Sequence, residues 1–114
     1  MTFEHHRLSE FTGGWFVGRF EPTLAPSDAV EVAVKHYFAG QHEPEHHHRV
    51  AEELTVVVSG RVRMSGREFE AGDIIRIPPG QATDFTALTD VVTTVVKMPC
   101  VKGDKYPGPF SNED

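Results

Sequence analysis

Three side chains near the middle of the chain, His46, His48 and Glu53, have the types and the spacing to hold a metal ion. In a β-strand, residues i and i+2 point to the same face, about 6.6 Å apart along it. Two imidazoles so placed can converge on one ion at roughly 2.0–2.1 Å per metal–nitrogen bond. Glu53 opens the apolar run Leu54-Thr55-Val56-Val57-Val58, which predicts a buried strand. If that strand pairs beside the histidine segment, its first side chain brings a carboxylate to the same ion. Two histidines and one carboxylate, with positions left open, are the ligand set of non-haem Fe(II) sites and of some catalytic zinc sites. His47, lying between the two, must then face away, and it is assigned no metal role.

Strands are what the chain offers to position such a set. Residues 29–39 alternate, with Val30, Val32, Val34, His36 and Phe38 on one face and Glu31, Lys35 and Tyr37 on the other. The pattern predicts that His36 points inward among the valines. There it serves as a hydrogen-bonded core residue, as a fourth ligand, or as a support behind the ligands. Arg61–Met64 and Arg67–Phe69 read as a hairpin turning at Ser65-Gly66, with Val62 and Met64 inward. Ile74–Ile77 is a short buried strand ended by Pro78-Pro79-Gly80, since proline cannot donate to a ladder. Asp84–Leu88 and Val91–Met98 complete the series, and no helical period is sustained anywhere. Such a chain is all-β, a sandwich or barrel. Val32, Val34, Val56, Val58, Ile75 and Ile77 are expected in its core or its sheet contacts.

The glycines that bracket the histidine segment complete a recognisable motif. Gly40, His46, His48, Glu53 and Gly60 stand at the spacing of the first cupin motif, and the chain resembles that family. Gly72, Pro78 and Gly80 fit the second motif, but Thr83 stands where that motif has histidine and Ala87 where it has asparagine. The resemblance covers roughly residues 29–96. It implies a double-stranded β-helix, that is, a jelly-roll (cupin) barrel with a site in its mouth. It also implies a divalent ion (Fe, Mn, Ni or Zn) on His46, His48 and Glu53, and a homodimer that exchanges or pairs N-terminal strands. Thr83 is a poor ligand beside an imidazole, so the fourth position falls to water. Asp84, by strand alternation, turns to the opposite face unless a bulge intervenes.

Three segments follow: an N-terminal arm and dimerisation strand (1–28), the barrel (29–98) and a tail (99–114). In the first, Trp15, Phe16 and Phe20 put aromatics on both faces of a predicted strand within residues 11–20, which suits an interface with a second copy. The tail is rich in Gly, Pro and charge, and its last residues are expected to be loose. Tyr106 and Phe110 pack either on the barrel or on a partner.

The totals narrow the function. With 114 residues, 39% hydrophobic and 25% charged, the chain is expected to be one globular domain. A formal charge of −6, from 11 Lys and Arg against 17 Asp and Glu, argues against nucleic acid as a partner. No apolar stretch is long enough to span a bilayer. The opening MTFEHHRLSE lacks the apolar run of a secretory signal, and the lone Cys100 cannot form an internal disulfide, so a reducing cytoplasm is expected. Two functions remain. One is a metal-binding cupin acting on a small polar or sugar-like molecule, by oxygenase-, isomerase- or lyase-type chemistry. The other is a non-catalytic binding or regulatory cupin whose polar contacts are Thr83, Asp84, Gln81 and His36. Only His36, Asp84 and Tyr37 offer themselves as a base, none at compelling spacing.

Overall fold

The computed structural model describes residues 2–111, so the end of the tail, 112–114, expected to be loose, lies outside the described residues. Ten strands are seen: β1 (Trp15–Val17), β2 (Glu31–Tyr37), β3 (His42–His47), β4 (Glu52–Ser59) and β5 (Arg61–Met64), then β6 (Arg67–Glu70), β7 (Ile74–Ile77), β8 (Thr83–Ala87), β9 (Val91–Met98) and β10 (Tyr106–Pro107). The described helix is confined to two short 3-10 turns, Leu8–Glu10 and Thr12–Gly14. No described helix is long and apolar enough to cross a membrane.

The strands form two five-stranded sheets, ordered β1-β2-β9-β4-β7 and β10-β3-β8-β5-β6. All pairings between these strands are antiparallel. Between the sheets lies a core of Val57, Val62, Met64, Ile77, Phe85, Ala87 and Val91. Alternation and turn signals predict a sandwich or barrel, and the two antiparallel sheets form the jelly roll that the resemblance implies. The β5–β6 hairpin turns where expected. Ser65 and Gly66 both have positive φ, 50° and 75°, as a two-residue hairpin of the favoured twist requires. Gly60, between β4 and β5, has φ 87°, and a Cβ there would meet the Asp90 carbonyl oxygen at 2.2 Å. That position of the motif therefore admits glycine for two separate reasons.

Three expectations need correction. The strand predicted to follow a turn at Gly13-Gly14 does start there, but it ends at Val17, where Gly18 takes φ 152° and its N–H donates to the Ala25 carbonyl. Val58 is 52% exposed, while its neighbour Val57 is fully buried. His36 is exposed on the outer face, because Ala33, Lys35 and Tyr37, not the valines, turn toward the interior on β2. The valine alternation was a true β signal with the wrong face assigned to it. The tail also holds a strand that residue patterning did not foresee: β10 pairs with β3, placing Tyr106 opposite His47 and Pro107 opposite His46.

Candidate functional site

The histidine strand is clamped from behind by the tail. Asp104 is buried, and its carboxylate accepts the backbone N–H groups of Arg49 (2.8 Å), Val50 (3.1 Å) and Ala51 (2.9 Å). These amides fix the turn between β3 and β4. Burial would raise the Asp104 carboxyl, but the three amides outweigh it and hold the group below its usual range. The backbone carbonyl of the same residue accepts Nδ1–H of His48. One tail residue thus sets both the turn and the ring.

Strand parity separates the three histidines as expected. His47 is 1% exposed and faces away from the cavity, with Nδ1 donating to the Gly108 carbonyl at 2.7 Å and its ring stacked on Tyr106 at 5.5 Å. His46 and His48 line one cavity, ring centroids 5.4 Å apart, together with Glu53. His46 donates Nδ1–H to the Pro44 carbonyl at 3.0 Å, and His48 uses the same nitrogen on Asp104, which leaves Nε2 of each for the cavity side. Nε2 of His48 lies 3.4 Å from Glu53 Oε1, and Glu53 Oε2 accepts the Thr55 hydroxyl at 2.9 Å.

The electrostatics give the two rings different roles. The Glu53 carboxylate beside it raises the His48 imidazole above its usual value, even though burial opposes this. Of the two rings His48 is therefore the one that takes a proton more readily. Desolvation lowers His46, which stays neutral. Burial alone would raise Glu53, but the His48 and Thr55 hydrogen bonds and the nearby Lys97 charge hold it low.

Among the described residues, no three His, Cys, Asp or Glu side chains stand close enough to share an ion as they are. The His48–Glu53 pair nevertheless has the right span. Two ligand atoms each about 2.1 Å from one ion, subtending roughly 90–110°, lie about 3.0–3.4 Å apart. A divalent ion there would take the place of a proton on His48 Nε2. The donor chemistry fits as well, since each ring has its far nitrogen anchored on a backbone carbonyl.

The other expected residues divide. Gln81, Thr83 and Asp84 border the cavity, whereas His36 does not. Thr83 sits opposite His46 in the β3–β8 register. Its hydroxyl accepts from Ser65 Oγ and donates to the Asp84 carbonyl, both at 2.8 Å. Oδ1 of Asp84 accepts the Ser65 N–H at 2.8 Å.

Several cavity residues escaped sequence reasoning. Glu43 has the opposite parity to His46, but a register irregularity between them turns both toward the cavity. Its Oε1 accepts the Tyr37 hydroxyl at 3.0 Å and lies 3.3 Å from Lys35 Nζ. Burial, with Glu43 adding to it, pushes the Tyr37 phenol far above its ordinary range, so Tyr37 is a donor and not a base. Lys35 and Lys97 were hidden among valines, Lys105 in the tail. Trp15 sits at the mouth with the ammonium groups of Lys35 and Lys97 at 5.8 and 4.8 Å from its ring.

No protein-family model matches the chain, and no curated protein does. Solved structures do resemble it. An uncharacterised double-stranded β-helix protein from Klebsiella pneumoniae aligns at TM-score 0.67 and 23% identity, over 74% of each chain. The DMSP lyase DddQ from Ruegeria pomeroyi aligns at TM-score 0.69 and 21% identity, over 86% of this chain and 52% of the other. An RmlC-like cupin from Shewanella frigidimarina aligns at TM-score 0.59 and 20% identity, over 66% and 70%. Identities this low establish the shared fold and leave the chemistry to the site.

Proposed function

We propose that this chain, a cupin by its fold, holds a divalent ion (Fe, Mn, Ni or Zn) on His46, His48 and Glu53 and acts on a small polar molecule in the cavity beside it. The observation that carries the reading is the 3.4 Å span from His48 Nε2 to Glu53 Oε1, with both histidine rings anchored through Nδ1. When bound, such an ion supplies Lewis acidity or an activated oxygen nucleophile. The chain's own residues do the remaining work. Tyr37 stays protonated and directs its hydroxyl to Glu43, whose carboxyl is kept ionised against the cost of burial by Lys35 and Tyr37. Glu43, which lines the cavity where the exposed His36 does not, is therefore a group placed to take a proton. Thr83 keeps its own proton on the Asp84 carbonyl and leaves the fourth coordination position to solvent or substrate.

That engagement of Thr83 also favours the second reading, a binding or regulatory cupin with incomplete ligation, and metal analysis separates the two. Wild-type protein equilibrated with each of the four metals should retain one of them near one equivalent. His46→Ala and His48→Ala should each lose most of it, His47→Ala almost none, and Thr83→His should bind more tightly. A wild type that retains none of the metals, or His47→Ala losing as much as His48→Ala, would overturn the metal reading.

A further inference from the structure

We infer that the cavity takes a small ligand bearing one carboxylate, which Lys35, Lys97 and Lys105 hold together with the hydroxyl of Thr93. The inference rests on the metal-site reading for its location, since the ligand shares the cavity of His46, His48 and Glu53. It stands on three observations, the first of which is placement. The chain carries a net −6, yet three of its 11 basic residues line this one cavity. They come from separate elements: Lys35 from β2, Lys97 from β9 and Lys105 from the tail. Lys97 and Lys105 also border two neighbouring concavities, so they stand where the cavity opens to solvent. A positive mouth on an acidic protein concentrates anions from bulk.

The second observation is charge balance. The three lysines face Glu43, Glu53 and Asp84 across the cavity, and Glu31 sits 2.9 Å from Lys97 Nζ. With His48 neutral, as a metal ligand must be, four carboxylates against three ammonium groups leave one negative charge. A divalent ion converts that to one positive charge, which a single carboxylate closes. Lys105 is the group free to meet it: no carboxylate lies within ion-pair distance of it among the described residues.

The third observation is the Thr93 hydroxyl. Thr93 is 1% exposed and lines the same cavity from β9, opposite Lys35 in the β2–β9 register. Its Oγ1 is buried with no hydrogen-bond partner among the described residues. An unpaired buried hydroxyl is costly, and a ligand oxygen would satisfy it. Size agrees with a small occupant. The space open to water centres is about 70 Å³, room for about five waters at roughly 10–15 Å³ each.

Trp15 is the chain's one tryptophan and lies against Lys35 and Lys97, so its fluorescence reports on the lysines directly. The test titrates lactate, its neutral isostere lactamide, and inorganic phosphate into the full chain loaded with Zn2+, following Trp15 emission and heat. Lactate should bind, more weakly as salt rises, with lactamide at least tenfold weaker. Lys35→Met, Lys105→Met and Thr93→Val should each weaken lactate by about tenfold, the loss of one charge-assisted contact or the order of it, with zinc content unchanged. Because Lys97→Met alone strands Glu31, it is made with Glu31→Gln and judged by the same loss. Zinc binding without lactate binding, or lactate affinity that the lysine variants leave unchanged, would overturn the inference and spare the metal site. Lysine-dependent lactate binding by a chain that takes up no zinc would support it while the metal reading fails. Phosphate binding more tightly than lactate would overturn the choice of a carboxylate.

Discussion

On β2, β9 and β4 the side chains turned toward the barrel interior include Lys35, Tyr37, Lys97, Thr93, Glu53 and Thr55. The side chains on the opposite face of the same strands include Val32, Val34, Val96, Leu54 and Val56. The pairing register lines these up across three strands, Val32 beside Val96 beside Leu54 and Val34 beside Thr94 beside Val56. The usual division, apolar inside and polar outside, is thus reversed over this half of the sheet. Toward the β5 end of the barrel it is restored, where Val57, Val62, Ala87 and Val91 are buried. The difference separates two tasks: one end of the barrel is a core, and the other is a polar cavity whose wall happens to be a β-sheet.

A polar interior needs support from outside the sheet, and Asp104 provides the test with the largest expected effect. Asp104→Ala removes the acceptor of three backbone amides and loosens the tail segment that orients His48. The loss should be about 2–4 kcal/mol, on the order of one for each of the three amides left without its acceptor. Denaturant unfolding would measure it, and metal affinity should fall with it. Asp104→Asn should recover part of both. An Ala variant as stable as wild type would show that the tail merely rests on β3.

This reversal is also why the site was more legible than the wall around it. His46, His48, Glu53 and the bracketing glycines are tied together by spacing alone, and parity placed His47 correctly. The hairpin at Ser65-Gly66 and the strand Val91–Met98 follow from turn chemistry and apolar runs. His36 was turned inward because hydrophobic alternation is read as apolar-inside, a rule that fails where the inside is a binding cavity. Glu43 was missed because a register irregularity breaks parity between it and His46. Lys105 and Asp104 were missed because β10 pairs with β3 across about sixty residues, a contact that no local pattern announces.

The next effect is smaller and tests the two faces directly on adjacent residues. Val57→Ala should cost about 2 kcal/mol through its cavity, and Val58→Ala less than about 0.5. We propose that a second copy covers the outer face, since Val58 and Ile74 are 52% and 66% exposed beside the valine rows. Val58→Lys should then leave the fold intact and lower the apparent mass in light scattering. A wild type that is monomeric at micromolar concentration would refute the dimer, and equal costs for the two alanine variants would refute the facing assigned here.

The smallest effect is a proton on the inner face. In the metal-free chain the folded state raises His48 and lowers Glu53, and each direction fixes a sign. A raised histidine stabilises the fold fully below its unfolded value of 6.5, and that contribution is lost as pH rises through the higher folded value. A lowered carboxyl stabilises fully above its unfolded value of 4.5 and is lost as pH falls through the lower folded one. The pair therefore contributes most between those two values, and in the metal-free protein its contribution should fall as pH rises from 6 to 8. His46, lowered by burial, acts with the opposite sign: its unfolded form still takes up protons near 6.5, so its contribution grows from pH 6 to pH 8 and offsets part of the His48 loss. Zinc should act with the opposite sign, because it must displace the His48 proton, so the stabilisation it gives should grow from pH 6 to pH 8. Thermal melts with EDTA and with excess zinc at those two pH values give four numbers, and the gap between the two lines should widen with pH. His48→Gln should abolish the metal-free fall and flatten the zinc dependence. If the zinc-induced shift is the same at pH 6 and pH 8, no proton is exchanged for the ion, and His48 is not its ligand.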